Sequence, residues 1–289
     1  MPFPPGGLVD TLARAVTQRM TAQLGQPVVV ENKPGASGNI GIDAVAKSPP
    51  DGYTIGGATV GHFSINQFLI AKMPYDAEKD LIAPSLAYEL PNVAVVAANH
   101  VQAKTLQEFI AFAKARPNGI SIGSPGPGTT PHLSGVLFAA RTGVNAIHVP
   151  FRGAAQTIPA MLAGDVTFAV DNLASYIPQI EAGTMRALAV TSLKRSPALP
   201  GVPALSEILP GFAVTGWYGI IAPAGTPRDI VDKIRNDVAQ VLADPKVRDN
   251  LAGDGAIPVA STPDEFRGFI AAETEKWAAV IKTAGVTPP

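Results

Sequence analysis

Two short stretches of this chain place glycine, proline and hydroxyl residues directly ahead of an amphipathic helix. The first is PFPPGG (2–7), followed at once by LVDTLAR. The first amides of a helix have no intrahelical partner, and the helix dipole adds partial positive charge. The N–H groups of Gly6, Gly7 and Leu8 can therefore cradle an anion. The same residues also make an ordinary loop, with Asp10 as a dipole partner in the first turn. The second stretch is GSPGPGTTPH (123–132), where a strand ends in a loop that feeds a helix. Ser124, Thr129 and Thr130 bring hydroxyl donors. A proline-stiffened turn capped by Thr129 or Thr130 is the plainer alternative.

Other residue patterns carry less chemistry. VPFRGAAQ (149–156) forms a third strand-to-helix junction, where Arg152, followed by Gly153, can clamp a carboxylate in two-pronged fashion. Arg152 serves equally as a surface or interlobe arginine. FAVDN ends another strand in Asp171 and Asn172, which either line a cleft or close an Asx turn. GISIG (119–123) matches the G-x-S-x-G pattern of serine hydrolases. That elbow has to be a turn, however, and Ser121 lies between isoleucines inside a strand. No Asp or Glu occurs between Ser121 and His148, the last histidine, so the α/β-hydrolase order also fails. His62, His100, His132 and His148 are separated along the chain, with no i, i+4 pair, and read as structural rather than metal-binding. No Walker loop or dinucleotide fingerprint is present.

The elements that must position these loops follow from periodicity. Leu8, Leu12, Val16, Met20 and Leu24 form a helical stripe closed by Gly25. PVVVE (27–31) reads as a short buried strand, 40–46 as a helix and 53–58 as a strand. From NVAVVAA (92–98) onward, helices at 106–115, 130–141 and 154–163 alternate with strands at 119–123, 147–150, 166–170 and 186–191. GWYGIIAP (216–223) reads as a strand, and helices follow at 227–242, 245–252 and 263–284. Alternation of this kind predicts an α/β fold with a largely parallel sheet. Two lobes are expected, one discontinuous (1–98 plus 216–289) and one continuous (99–215). A hinge is expected near 93–97 and 217–222, with the ligand cleft between the lobes.

Composition narrows the function. With 46% hydrophobic and 16% charged residues the 289-residue chain has ample core and is not disordered. A net charge of −1 without a basic run argues against nucleic acid. The absence of cysteine excludes disulfides and makes structural zinc a poor fit. No apolar run is long enough to span a bilayer, and the N-terminus does not read as a signal peptide.

Taken in order, PFPPGGxxD, GQPVVVENKPGASGNIG, PDGYT, HVPFRG, VDN, LAVTSLKRSPALPGVPALSE, WYGIIAPAGTP and STPDEF resemble the Bug-type extracytoplasmic solute receptors of tripartite tricarboxylate transporters. The resemblance spans essentially the whole chain. It implies a two-lobed, venus-flytrap binding protein of type II in the periplasm, with no catalytic residue, metal or cofactor. The expected ligand is a small organic acid: a dicarboxylate, an aromatic acid or an amino acid. The expected partners are the permease subunits of the transporter, with the receptor a monomer. Carried onto this sequence, the grip consists of Phe3, Pro5, Gly6, Gly7, Leu8 and Val9 from one lobe. The other lobe supplies Ser124, Gly126, Gly128, Thr129 and Thr130, with Arg152, Gly153 and Asp171 nearby. A ligand-sensing module of a regulatory system, or a serine hydrolase using Ser121, is the alternative. Two departures from the family pattern stand out. A strand usually precedes PFPPGG, so the first lobe is expected to lack its first strand and to hold the opening loop poorly. Pro125 and Pro127 each delete an N–H donor from the second loop.

Overall fold

The computed structural model describes residues 1–5, 8–151, 153–253 and 255–284. Helix α1 (Leu8–Leu24) buries Ala13, Val16 and Met20, as the stripe predicts. Helix α2 (Asn39–Ala46) and strand β1 (Gly56–Thr59) follow, then a wide helical turn (Gly61–Ile65) and the single turn α3 (Asn66–Leu69). The centre of the molecule is β2 (Leu81–Ala97), one 17-residue strand. Next come α4 (Leu106–Lys114), β3 (Ile120–Ser124), α5 (Thr130–Thr142), β4 (Ala146–Pro150) and α6 (Ala154–Ala163). The chain continues through β5 (Phe168–Asn172), α7 (Leu173–Glu181), β6 (Met185–Val190) and β7 (Thr215–Pro223). It ends with α8 (Arg228–Ala243), α9 (Pro245–Gly253), the short β8 (Ile257–Pro258) and α10 (Pro263–Ala284).

Strand β2 changes partners along its length. Leu81 to Pro91 pair with β7, and Tyr88 and Glu89 also meet β8; Asn92 to Ala97 pair instead with β5 and β6. Proline has no N–H to donate to a ladder, and the handover falls directly after Pro91. Thr191 secures the junction: its hydroxyl accepts from Asn92 N–H at 2.9 Å, its own N–H donates to Asn92 O at 2.9 Å, and its carbonyl accepts from Val214 N–H at 3.0 Å. The sheet is therefore mixed rather than largely parallel. All the pairings of β2 are antiparallel, and the parallel pairs are β3 with β4 and β3 with β5. The helix–strand alternation behind the parallel expectation holds only around β3, β4 and β5.

A second difference concerns PVVVE. Segment 27–31 is extended but forms no ladder among the described residues, and Val29 is 82% exposed. Nearby hydrogen bonds run from Met1 N to Glu31 O (2.7 Å), from Lys33 N to Met1 O (2.8 Å) and from Val28 N to the Thr21 hydroxyl (2.9 Å). A run of valines supplies strand propensity but not a partner, and without a partner it remains an isolated extended segment. Between this segment and β1 lies a cavity of about 850 Å³, walled by Val16, Met20, Ile55, Ile220 and Ile234 among others. The opening loop is nonetheless held. Pro2 is buried against Gly41, where a Cβ would come within 2.8 Å of Pro2 Cα, so only glycine fits. Asn32 Nδ2 donates both to Phe3 O (2.9 Å) and to the buried Asp10 carboxylate (2.7 Å).

Buried aromatic residues fill the main core cluster. Phe109, Phe138 and Phe168 are fully buried, with Phe168 centred 4.5 Å from Phe109 and 5.0 Å from Phe138. On α10, the buried Glu273 accepts the indole N–H groups of Trp217 (3.3 Å) and Trp277 (3.0 Å), and it also pairs with Lys276. Truncating Phe168 to alanine should cost about 3–5 kcal/mol in urea unfolding, through lost burial and a residual cavity.

Asp171, at the end of β5, is buried; its Oδ1 accepts from Asn172 N–H (2.7 Å) and its Oδ2 from the Tyr176 hydroxyl (3.2 Å). Desolvation outweighs these bonds and lifts its pKa from 3.8 to about 6. The native state thus favours the protonated acid. Its contribution to stability is complete below pH 3.8 and is lost as pH rises through 6, about 3 kcal/mol in all. His62 works in the opposite sense. Burial lowers its pKa from 6.5 to about 4, so its contribution is complete above 6.5 and is lost as pH falls toward 4. Subtracting the stability–pH curve of Asp171→Asn from that of the wild type isolates the aspartate. The difference should open between about pH 4 and 7 in favour of the variant, and a flat difference refutes the assignment.

Candidate functional site

The second loop is built on the parallel pair β3 and β4. Register places Ser124 beside Pro150, and Phe151 N–H donates to Ser124 O at 2.8 Å, closing the end of the pair. The Ser124 hydroxyl, buried, accepts from Gly126 N–H (3.2 Å) and meets His148 Nε2 at 2.6 Å. Thr129 is the N-cap of α5: its Oγ1 accepts from His132 N–H (3.4 Å) and donates to Gly126 O (2.7 Å). Gly128 N–H donates to His132 Nδ1 at 3.2 Å. Pro125 and Pro127 thus leave Gly126 and Gly128 as the intervening amides, and both are turned inward. The N–H groups of Thr129 and Thr130 have no protein partner among the described residues, as expected for the open end of a helix.

His132 and His148, sixteen positions apart, are brought together by the α5–β4 packing. Their ring centroids lie 4.1 Å apart. Burial and the neighbouring ring lower the pKa of His132 to about 4, and burial lowers that of His148, so both imidazoles are neutral at neutral pH. A hydroxyl beside an imidazole is half of a nucleophilic pair. No carboxylate is bonded to His148 among the described residues, so the orienting third group of such a pair is missing. Sequence spacing gave no sign of this contact, since the two histidines belong to different elements. Ser121, the residue of the rejected hydrolase pattern, accepts from Thr167 N–H (2.9 Å) and is bonded to no histidine among the described residues.

On the opposite side, Phe3 lies 5.7 Å from the ring of His62. His62 Nδ1 accepts from Thr59 N–H (3.0 Å), so its proton sits on Nε2 and is donated to Ser37 O (3.1 Å). The carbonyl of His62 accepts from the Tyr75 hydroxyl (3.1 Å). Asn39 Oδ1 accepts from Tyr75 (2.9 Å) and from Asn66 Nδ2 (3.0 Å). This neutral, buried cluster runs from the opening loop to Asn66, and Asn66 faces the second loop. Gly128 has φ +75°, and a Cβ there would sit 3.4 Å from Leu69 Cδ1 and 3.9 Å from Asn66 Oδ1. The structure therefore brings Phe3, Gly128 and their neighbours to two sides of one polar cluster. Neither Asn66 nor His62 stood out from the sequence, because a lone buried polar residue has no periodic signature.

The remaining expected residues fall as follows. Pro5 is exposed. Thr130 is buried with its hydroxyl toward Gly216, at the start of β7. Gly153 has φ +145° and open space where a Cβ would stand. The Asp171 carboxylate is engaged by Asn172 N–H and the Tyr176 hydroxyl. Gly6, Gly7 and Arg152 lie outside the described residues, as do the side chains of Leu8 and Val9. Among the described residues no cluster of histidine and acidic side chains could hold a metal ion, and no helix is long and apolar enough to cross a membrane.

Comparison with known proteins shows the family and the fold. The family model for the "Tripartite tricarboxylate transporter family receptor" matches residues 12–286. Protein BugT of Bordetella pertussis is 36% identical over 287 residues, covering 99% of this chain and 88% of BugT. The structure of R. palustris Rpa4515 with adipate has a TM-score of 0.91 at 35% identity, covering 100% of this chain and 96% of that one. MatC (Rpa3494) from Rhodopseudomonas palustris with bound malate has a TM-score of 0.84 at 31% identity, covering 97% and 96%. The architecture is the two-lobed α/β fold of periplasmic binding proteins. The family consists of solute receptors rather than enzymes, which sets aside the hydrolase alternative. With nearly its whole length matched, this chain belongs to the receptor family of the tripartite tricarboxylate transporters, the Bug-type solute-binding proteins.

Proposed function

We propose that this chain works in the periplasm as a monomeric receptor. It captures a small carboxylate-bearing acid between lobe 1 (1–98 and 216–289) and lobe 2 (99–215), and hands it to the permease subunits of a tripartite transporter. The lobes pivot near 93–97 and 217–222. The ligand carboxylate is held by Phe3, Pro5, Gly6, Gly7, Leu8 and Val9 from one side and by Thr129 and Thr130 from the other, with Ser124, Gly126 and Gly128 shaping the second loop through their internal bonds. Arg152, Gly153 and Asp171 border the cleft.

One observation carries the reading: the open end of α5 offers the amides of Thr129 and Thr130 across from the neutral Asn66 cluster. Free helix-end amides beside a hydroxyl suit a carboxylate, and a neutral floor does not repel it. The adipate and malate of the two similar structures belong to the same chemical class.

The energetics favour a grip from both lobes. A hydrogen bond to a charged group contributes roughly 1.5–3 kcal/mol, so two or three from one loop yield roughly 3–9 kcal/mol. Ordering the ligand costs at least about 4 kcal/mol, and micromolar affinity requires about 8 kcal/mol net. A single loop falls short of that sum.

Isothermal titration of the chain with malate, adipate, benzoate and aspartate should identify at least one micromolar ligand. Thr129→Val and Gly128→Val should each weaken it about tenfold or more, the first by altering the α5 cap and the second by pressing on Leu69 and Asn66. Absence of binding across the panel, or variants that bind as the wild type does, would sink the reading.

A further inference from the structure

We infer that the space between segment 27–31 and β1 is a binding site for an extended apolar peptide ending in a free carboxylate. The peptide runs parallel to 27–31 and adds a strand to the edge of β1. The inference goes beyond the receptor reading and is independent of ligand capture by the two loops.

The chain itself sets the direction and register. Met1 N donates to Glu31 O at 2.7 Å, and Met1 O accepts from Lys33 N–H at 2.8 Å. A residue whose N–H and C=O bond to the two neighbours of the residue facing it makes one rung of a parallel ladder. Met1 therefore stands opposite Asn32. Continued in this register, the position two before Met1 faces Val30, and the position four before it faces Val28. Those rungs call on the N–H groups of Val29 and Glu31 and on the carbonyls of Pro27 and Val29. None of these four groups bonds to protein among the described residues. The Val28 amide, which the register points the other way, is taken by the Thr21 hydroxyl at 2.9 Å.

The far wall is β1, the last strand of the sheet at that end, paired with β7. Both faces of the space are covered. Gly56 faces Val45 of α2, whereas Gly57 faces Tyr218, which shares a core cluster with Val16 and Met20 of α1 and Ile234 of α8. A strand covered on both faces is apolar along its whole length. The charged residues at the rim are paired with one another, Lys33 with Glu31 and Lys233 with Asp237. An acyl chain also suits apolar walls, but it pairs with none of the backbone groups of 27–31, whereas a peptide satisfies both. Five residues at about 3.3 Å each match the run from Pro27 to Glu31. The parallel direction brings the peptide's last residue against the Met1 ammonium, and opposite charge there favours a free C-terminal carboxylate.

The probe is the peptide acetyl-Lys-Lys-Val-Ile-Ala-Val-Val with a free C-terminus, added to the whole chain. It should raise the unfolding temperature with dose. Hydrogen exchange should slow at the Val29 and Glu31 amides and stay unchanged at Val30. N-methylating the second and fourth residues from the peptide's C-terminus keeps its apolar surface and removes the bonds to the Val29 and Pro27 carbonyls. That change should weaken binding about tenfold or more. A C-terminal carboxamide should weaken it about threefold. Val29→Pro, at a position 82% exposed, deletes one donor and should weaken binding several-fold in a protein that still folds. No binding by the free-acid peptide, equal binding by its N-methylated form, or protection at Val30 in place of Val29 and Glu31 overturns the inference. Tighter binding of laurate assigns the space to an acyl chain and overturns it, as does a dimer of the chain that the peptide fails to dissociate. A carboxamide that binds as the acid does overturns the carboxylate assignment.

Discussion

The handover along β2 is the constraint on which the rest of the molecule depends. A single strand runs from the β7 ladder into the β5 and β6 ladders, and the change of partners falls at Pro91 and Asn92. Proline ends one ladder by lacking a donor, and Asn92 starts the other by pairing with Thr191 through both of its backbone groups. Two halves of the sheet joined this way share continuous backbone instead of a slack linker. Thr191 also accepts from Val214, so the return strand β7 leaves from the same point. The start of α5, where the Thr130 hydroxyl lies beside Gly216, is placed relative to this junction.

Several of the described residues around the two loops are neutral. His62, His132 and His148 are held uncharged by burial, and Asn39, Asn66 and Tyr75 bond to one another and to backbone. Such a lining has a physical logic for a receptor that must release its cargo. A buried cation opposite a carboxylate would make departure costly, because each charge would be stranded without the other. Amides and hydroxyls give direction and selectivity with weaker retention. The inward-turned amides of Gly126 and Gly128 belong to the same design, since they stiffen the loop and leave the open end of α5 as its outward face.

Much of the fold was legible in the sequence because it rests on local signals. The stripe of α1, the capped helix α5, the glycine and proline punctuation and the β7 strand all lie within a residue or two of their expected bounds. What escaped reading was tertiary. The valines of 27–31 look like a strand, but a strand is defined by its neighbour, and periodicity cannot supply one. The run 81–91 contains prolines and alternates weakly, so half of β2 went unrecognised, as did α7. In the site, Ser124 and Thr129 were legible because they sit in a glycine-rich loop ahead of a helix. His148 and Asn66 were not, because their meaning comes from partners that are distant along the chain. Asp171 was correctly placed at a strand end, but its carboxylate bonds the adjacent Asn172 amide and the Tyr176 hydroxyl rather than the amide two residues on that an Asx turn requires.

The unladdered segment 27–31 has a consequence of its own. Strand β1 pairs with β7 on one side, and its other edge borders the apolar space of about 850 Å³ beneath Val29. A strand edge beside an apolar slot is a template for any extended chain of suitable sequence. In a concentrated solution this face is where copies of the molecule would begin to stick to one another. Colloidal behaviour would then be governed at the β1 end of the sheet.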